Sequence, residues 1–138
     1  MSDLNISVTE EPGVTPITVF RLEGRVNMGN ADRLMQGLEA AFAEGSRNMI
    51  LDLTGVESLT SAGLRVILRM YKLLGAESAV GTGEVETAGR SPYLKLAGPN
   101  PNVRGVFQIV GIERLFEIYE DLDAARSHLK PTKSKGGL

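Results

Sequence analysis

Residues 48–64, NMILDLTGVESLTSAGL, decide the fold of this chain. The stretch opens with a short apolar run at 48–53, and because a helical pattern precedes it, the run predicts a buried parallel strand. After a short loop, apolar residues recur at steps of three and four from Ser61 to Tyr71, which predicts a helix. A buried strand that leads into a helix is typical of an open α/β sheet, in which sites tend to lie at the carboxyl ends of the strands.

The segments before this stretch predict a hairpin and one helix. Residues 4–9 alternate between apolar and polar, and the run 17–22, beyond a turn, is β-branched and aromatic. We therefore expect two antiparallel strands. Residues 28–44 carry apolar side chains on one helical face, and Gly45 is the expected end of that helix.

The segments after it predict two more strands and two more helices. In chain order these are a strand at 93–97, a helix at 103–110, a strand at 115–119 and a helix at 122–129. The complete order predicts the α/β class, with a mixed, mostly parallel β-sheet that begins with a hairpin and packs against about four helices.

The domain organisation follows from length and pattern. No repeat or boundary interrupts the 138 residues, so we expect a single domain over 1–130. Residues 75–92 have no sustained period and contain several glycines, which predicts a flexible insertion. The lysine- and glycine-rich residues 131–138 are expected to form a disordered basic tail.

Composition excludes several classes of function. The 17 acidic and 15 basic side chains give a formal charge of −2, whereas a nucleic-acid-binding domain is usually far more basic. The chain has no cysteine and one histidine, which excludes thiolate zinc sites, cysteine nucleophiles and multi-histidine metal sites. We therefore predict no metal and no cofactor. No apolar run is long enough to span a membrane, and the start of the chain lacks the pattern of a secretory signal, so we expect a cytoplasmic protein without stable membrane contact.

Thr60 and Ser61, at the predicted start of the second helix, allow two interpretations. In the structural one, their hydroxyls accept hydrogen bonds from the first free amides of the helix. In the functional one, a hydroxyl there carries a phosphate, which the unpaired amides and the positive end of the helix dipole can hold without unfolding the helix. Such a phosphate would add nearly two negative charges to the surface and change its affinity for a partner.

The sequence gives little support for an enzyme. Asp52 follows the buried strand but has no histidine or carboxylate partner in sight, so we expect it to bond loop amides. Gly81-Thr82-Gly83 lacks both the preceding strand and the Gly-Lys-Ser/Thr sequence of a phosphate-binding loop. We predict a protein that is not an enzyme.

Five motifs, in this order and spacing, resemble the STAS domain, the fold shared by bacterial anti-sigma factor antagonists and the cytoplasmic domains of sulfate transporters. They are Leu22-Glu23-Gly24-Arg25-Val26, Asn30-Ala31, Leu51-Asp52-Leu53-Thr54-Gly55-Val56, Thr60-Ser61-Ala62-Gly63-Leu64 and Val110-Gly111-Ile112-Glu113-Arg114-Leu115-Phe116. The resemblance extends over residues 4–129 and implies the STAS fold.

The resemblance also implies a function. In the antagonists that this chain resembles, a serine before a glycine-leucine pair is phosphorylated by a cognate anti-sigma factor with serine/threonine kinase activity, and Ser61 occupies that position. The unphosphorylated antagonist binds the anti-sigma factor and frees the sigma factor, and phosphorylation ends that binding. A phosphatase of the PP2C type is the second implied partner, and the free antagonist is expected to be a monomer.

Two positions depart from the family pattern. The family often has aspartate where this chain has Thr60 and Asn27, and because Thr60 can itself accept a phosphate, the site is Ser61, Thr60 or both. The expected partner-binding residues, with Gly63 as the small residue that lets a partner approach, are Asn27, Met28, Asn30, Thr60, Ser61, Ala62, Gly63 and Arg65.

An alternative function remains open at this point. The chain can instead be a STAS scaffold or accessory subunit that does not switch, serving a stress-signalling or lipid-transport assembly. In that case the hydroxyls of Thr60 and Ser61 serve only as helix caps, and a negative charge at Ser61 would leave partner binding almost unchanged.

Overall fold

A computed structural model describes residues 4–12, 16–79 and 93–129 of the chain. The elements are β1 (Leu4–Glu11), β2 (Ile17–Val26), α1 (Ala31–Ala43), β3 (Met49–Leu59), α2 (Ser61–Ala79), β4 (Leu94–Ala97), α3 (Pro101–Val110), a 3-10 turn (Ile112–Arg114), β5 (Ile118–Tyr119) and α4 (Leu122–Leu129). The strands form one sheet in the order β1-β2-β3-β4-β5. Only the β1/β2 pair is antiparallel, so the predicted hairpin and the mixed, mostly parallel sheet are confirmed.

The helices cover the two faces of the sheet unequally. In β3, Leu51 and Leu53 point into the main core, which α1, α2 and α3 close. Ile50, on the opposite face, belongs to a small second core under α4. Because this strand is buried on both faces, residues 49–53 are all apolar except Asp52. No helix within the described residues has the length and apolar composition needed to cross a bilayer.

The third strand, β3, is longer than its sequence pattern predicts. Residues 54–59, expected in a loop, continue the strand to Leu59, with Val56 and Leu59 buried. The step from Arg21 to Glu23 in β2 spans two residues, whereas the paired step in β3 spans three, from Asp52 to Gly55. This β-bulge interrupts the alternation of buried and exposed positions, so the pattern did not indicate a strand.

The second helix, α2, also extends beyond its prediction. It continues to Ala79, so residues 75–79 are helical and not part of an irregular insertion. Gly75 suggested an end to the helix, but a single exposed glycine inside a helix costs only about 0.5–1 kcal/mol. The remainder of the predicted insertion, 80–92, and the predicted tail, 131–138, lie outside the described residues.

The region between α3 and α4 differs from the predicted strand at 115–119. Gly111 ends α3 as expected, in a left-handed conformation with φ of 81°. A 3-10 turn follows, and only Ile118–Tyr119 pair with β4. Phe116 is fully buried, with its ring centroid 5.4 Å from that of Tyr71 in an edge-to-face contact. The strand therefore begins at Ile118, three residues later than predicted, and Phe116 packs in the core before it.

The start of α3 is set by an asparagine that the sequence analysis missed. Asn100 caps the helix, since its Oδ1 accepts from the Val103 amide at 2.8 Å. Its Nδ2 donates to the carbonyl of Val56 at 3.1 Å, which ties α3 to the end of β3. The dipeptide Asn100-Pro101 is the signal that could have located this start, because asparagine is favoured at the cap and proline at the first helical position.

Candidate functional site

The candidate site lies where β3 passes into α2. Thr60 separates the last residue of the strand from Ser61, the first residue of the helix. The Thr60 amide and hydroxyl both donate to the carbonyl of Val26, at 3.0 and 3.1 Å. Val26 is the last residue of β2, so these two bonds hold the start of α2 against the segment that leads from β2 into α1.

Ser61 and Thr60 differ in what their hydroxyls do. Both residues are exposed, but the Thr60 hydroxyl is engaged as a donor to β2. The Ser61 hydroxyl forms no hydrogen bond with any residue in the ranges 4–12, 16–79 and 93–129. Because Ser61 opens the helix, its own amide and the next two amides have no carbonyl partner inside α2. A negatively charged group on Ser61 would therefore meet unpaired donors and the positive end of the helix dipole.

The residues around Ser61 form one exposed patch. Met28 is 81% exposed, so a large apolar side chain is available at this surface. Asn27 is half-buried, and its Oδ1 accepts from the Gly29 amide at 2.9 Å, which shapes the turn that carries Met28. Ala62 is half-buried and Arg65 is exposed. The name Ser61 surface is used below for Asn27, Met28, Thr60, Ser61, Ala62 and Arg65.

Asn30, which we expected on the partner surface, is instead a buried structural residue. It is only 8% exposed. Its Oδ1 accepts from the Asn27 amide at 2.9 Å, and its Nδ2 donates to the Arg25 carbonyl, also at 2.9 Å. The side chain thus closes the turn between β2 and α1, because it satisfies backbone groups that no regular element pairs.

Gly63 is also internal, which corrects the expectation that it lets a partner approach. It is buried, and a β-carbon at this position would lie 2.8 Å from Val26 Cγ1 and 2.9 Å from Leu59 Cγ. Such distances are shorter than van der Waals contact, so the missing side chain allows α2 to pack closely on β2 and β3. Gly63 therefore helps to position Ser61 at the start of α2.

Two charged residues, Arg25 and Glu57, pair with each other near the carboxyl ends of β2 and β3. Arg25 Nε lies 3.2 Å from Glu57 Oε1 in an exposed ion pair between the ends of β2 and β3. Asp52, as predicted, bonds the backbone beyond it, since its Oδ1 accepts from the Thr54 amide at 3.1 Å and the Thr54 hydroxyl at 2.6 Å. Within the described part of the chain, no group of three or more histidine, cysteine, aspartate or glutamate side chains is placed to hold a metal ion.

Known proteins are similar to this chain in both sequence and fold. A sequence model of the STAS domain matches residues 5–80. BtrV of Bordetella bronchiseptica, which carries the name of an anti-sigma factor antagonist, is 35% identical over 109 residues, covering 79% of this chain and 83% of that protein. This identity extends over most of both chains, so it reflects the whole domain and not one motif.

Two solved structures illustrate the shared fold. An anti-sigma factor antagonist from Mycobacterium paratuberculosis superposes with a TM-score of 0.71 at 24% identity, over 91% of this chain and 95% of the other. The Bacillus cell fate determinant SpoIIAA in its phosphorylated form gives a TM-score of 0.55 at 20% identity, over 81% and 90% of the two chains. Together with the sequence matches, the fold confirms the resemblance found in the motifs: the chain belongs to the STAS domain family, as a member of the anti-sigma factor antagonists.

Proposed function

We propose that the chain is a phosphorylation-switched binding module whose contact surface is the Ser61 surface. Unphosphorylated, it binds an anti-sigma factor that has serine/threonine kinase activity, and so regulates transcription indirectly. Phosphorylation of Ser61 ends this binding, and a phosphatase of the PP2C type restores it. The proposal gives the chain no catalytic step of its own and places it in the cytoplasm.

The observation that carries the proposal is the exposed hydroxyl of Ser61 at the start of α2, which forms no hydrogen bond with the described residues. A kinase can reach this oxygen without breaking an interaction of the fold. The resulting phosphate, with a charge of about −1.5 to −2, would face the free helix amides. The same charge would lie among the residues that contact the partner, where the cost of desolvating an unpaired charge weakens an interface.

The contacts of Thr60 favour Ser61 as the acceptor. A phosphate on Thr60 would remove the hydroxyl proton that bonds the Val26 carbonyl at 3.1 Å. It would also place a bulky anion between β2 and α2. Phosphorylation at Thr60 therefore costs a structural bond, whereas phosphorylation at Ser61 does not. We propose Thr60 only as a secondary acceptor.

Mass spectrometry after incubation with ATP and a candidate anti-sigma kinase tests the acceptor. We expect phosphate on Ser61 and its loss in Ser61→Ala. The Thr60→Ala control should fold and should carry less phosphate than the natural chain. Phosphate that maps outside residues 60 and 61 would contradict the proposed site.

A binding titration with the unmodified anti-sigma factor tests the switch. Ser61→Asp should lower the affinity by about a hundredfold or more, which corresponds to the cost of an unpaired charge in an interface. Ser58→Asp is the matched control, because Ser58 is also exposed and lies just before the site in β3. Equal affinity of Ser61→Asp and Ser58→Asp would favour a scaffold that does not switch.

A further inference from the structure

The outer edge of β1 has backbone groups that are free to pair with another strand. The Thr18 amide donates to the carbonyl of Asn48 at 3.0 Å, so Thr18 faces β3. Successive residues of a strand direct their amides to opposite sides, so Val19 faces β1, where its register partner is Thr9. By the same alternation, the odd-numbered residues of β1 bond β2, and the backbone groups of Ile6, Val8 and Glu10 point outward.

This edge lacks several of the features with which proteins prevent strand pairing, although Glu10 and Glu11 are charged. Its eight residues, Leu4–Glu11, pair with β2 in an unbroken register without a bulge, and they include neither proline nor lysine. Val8 is 54% exposed, on the same face of the sheet as the buried Leu4. One outward group is covered, because the Arg33 guanidinium of α1 donates to the Leu4 carbonyl. Within the described residues, nothing bonds the outward backbone groups of Ile6, Val8 and Glu10.

We propose that this edge binds a second copy of the chain, antiparallel, about a two-fold axis at Ser7. Ile6 then lies opposite Val8 of the second copy, and Leu4 lies opposite its Glu10. The Ile6 and Val8 side chains of both copies form one apolar row, because directly opposed residues point to the same face of a sheet. The Glu10 carboxylate of each copy comes beside the Arg33 guanidinium that is already at Leu4 of the other.

Other two-fold registers are less favourable, and an axis at Ile6, which opposes Leu4 to Val8, would overlap only residues 4–8 of the strand. An axis at Val8 would oppose Ile6 to Glu10 and Leu4 to Pro12, and proline has no amide proton to donate. An axis at Thr9 would oppose Val8 to Glu10 and Ile6 to Pro12. Of these axes, only the one at Ser7 opposes Ile6 to Val8 and also brings each Glu10 beside an Arg33. The resulting dimer does not depend on the proposed function, and it differs from the monomer that the family resemblance implies.

Single cysteines test the register directly, because the natural chain contains none. Ser7 bonds β2, so two opposed Ser7 residues would form a non-hydrogen-bonded pair with Cα atoms about 4.5 Å apart, within the range of a disulfide. Under mild oxidation, full-length Ser7→Cys should cross-link at least about tenfold faster than Asn5→Cys or Thr9→Cys alone. A mixture of Asn5→Cys and Thr9→Cys should cross-link to each other, because the axis opposes these two positions. Equal rates for all three single variants would overturn the proposal.

Two sets of variants test the interface without a covalent bond, by sedimentation of the full chain over a wide range of concentration. Val8→Pro should abolish the dimer while the circular dichroism and melting remain those of a folded chain, because the Val8 amide points outward. Glu10→Arg and Arg33→Glu should each weaken the dimer, and an equimolar mixture of the two should restore it, since both ends then pair opposite charges. A natural chain that sediments as a monomer up to millimolar concentration, or a mixture that stays as weak as its components, would refute this interface.

Discussion

The ammonium group of Lys95 lies 2.7 Å from Glu117 Oε1, although the Lys95 side chain is only 5% exposed. The same carboxylate oxygen accepts a hydrogen bond from the Tyr119 hydroxyl. The pair joins β4 to the residue before β5, on the face of the sheet that α4 covers. Because the cation is buried and the carboxylate is partly exposed, removal of Glu117 should lower the free energy of unfolding more than removal of Lys95.

We expect Glu117→Ala to lower the free energy of unfolding by about 2–4 kcal/mol, because it leaves the buried ammonium without its partner. Lys95→Met should cost less than about 1.5 kcal/mol, since it keeps the buried volume and leaves a carboxylate that solvent and Tyr119 can satisfy. Urea denaturation measures both values. If Lys95→Met proves the more damaging change, the ammonium contributes more than its pairing with Glu117 explains.

Replacing two glycines of α2, Gly63 and Gly75, by alanine should change the stability of the fold in opposite directions. Gly63→Ala places a β-carbon 2.8 Å from Val26 Cγ1, and we expect a loss of about 1–3 kcal/mol from overpacking. Gly75→Ala meets nothing within 4 Å and should stabilise the fold by about 0.5–1 kcal/mol, because alanine is the better helix former. Thermal melting compares the two variants in the same helix. A stabilising Gly63→Ala would show that β2 and α2 separate more easily than their packing indicates.

The bond between Thr60 and Val26 should contribute measurably to the position of α2. Thr60→Val keeps the shape of the side chain and removes the donor, so the Val26 carbonyl keeps only the Thr60 amide at 3.0 Å. We expect a loss of about 1 kcal/mol in the free energy of unfolding. Thr60→Ser retains the hydroxyl and should lose less than half of that. Equal losses in the two variants would assign the effect to the methyl group instead.

A bidentate ion pair holds α4 against the far end of β1. The Arg126 Nε and Nη2 atoms donate to the two carboxylate oxygens of Glu11, at 2.8 and 2.7 Å. The hydrogen bonds to Glu11 raise the pKa of Arg126 above its ordinary value, and Asp123 contributes less to this shift.

A double-mutant cycle with Glu11→Gln and Arg126→Gln should give a coupling energy of about 0.5–1 kcal/mol, since both side chains are 30% exposed. The coupling should decrease in 1 M salt, because salt screens partly exposed charges. A coupling that is insensitive to salt would indicate that packing, and not charge, joins the two residues.

Much of this fold could be predicted because its signals are local. The alternation in residues 4–9 and the run 17–22 predicted the hairpin, and the apolar steps after Ser61 predicted α2 from its first residue. These patterns arise because a strand or helix that is buried on one side carries its apolar side chains on that side, at the period of its own backbone.

The predictions failed where packing between distant segments decides the structure. The continuation of β3 to Leu59 depends on a bulge against β2, which no single-strand pattern shows. Asn30 and Gly63 occur in motifs of the family, and a motif alone does not distinguish a residue that contacts a partner from one that the fold buries. Their burial depends on Arg25 and Val26, which lie in other elements.

The length of α2 has a practical consequence for measuring binding. At 1.5 Å per residue, Ser61 and Ala79 are about 27 Å apart along the helix axis. The carbonyl of Tyr93, where the described chain resumes, accepts a bond from the Met49 amide at 2.8 Å, so Tyr93 lies at the opposite end of β3 from Ser61. A fluorophore attached at Tyr93 would therefore report the tumbling of a complex formed at Ser61 while its own linker remained outside the contact.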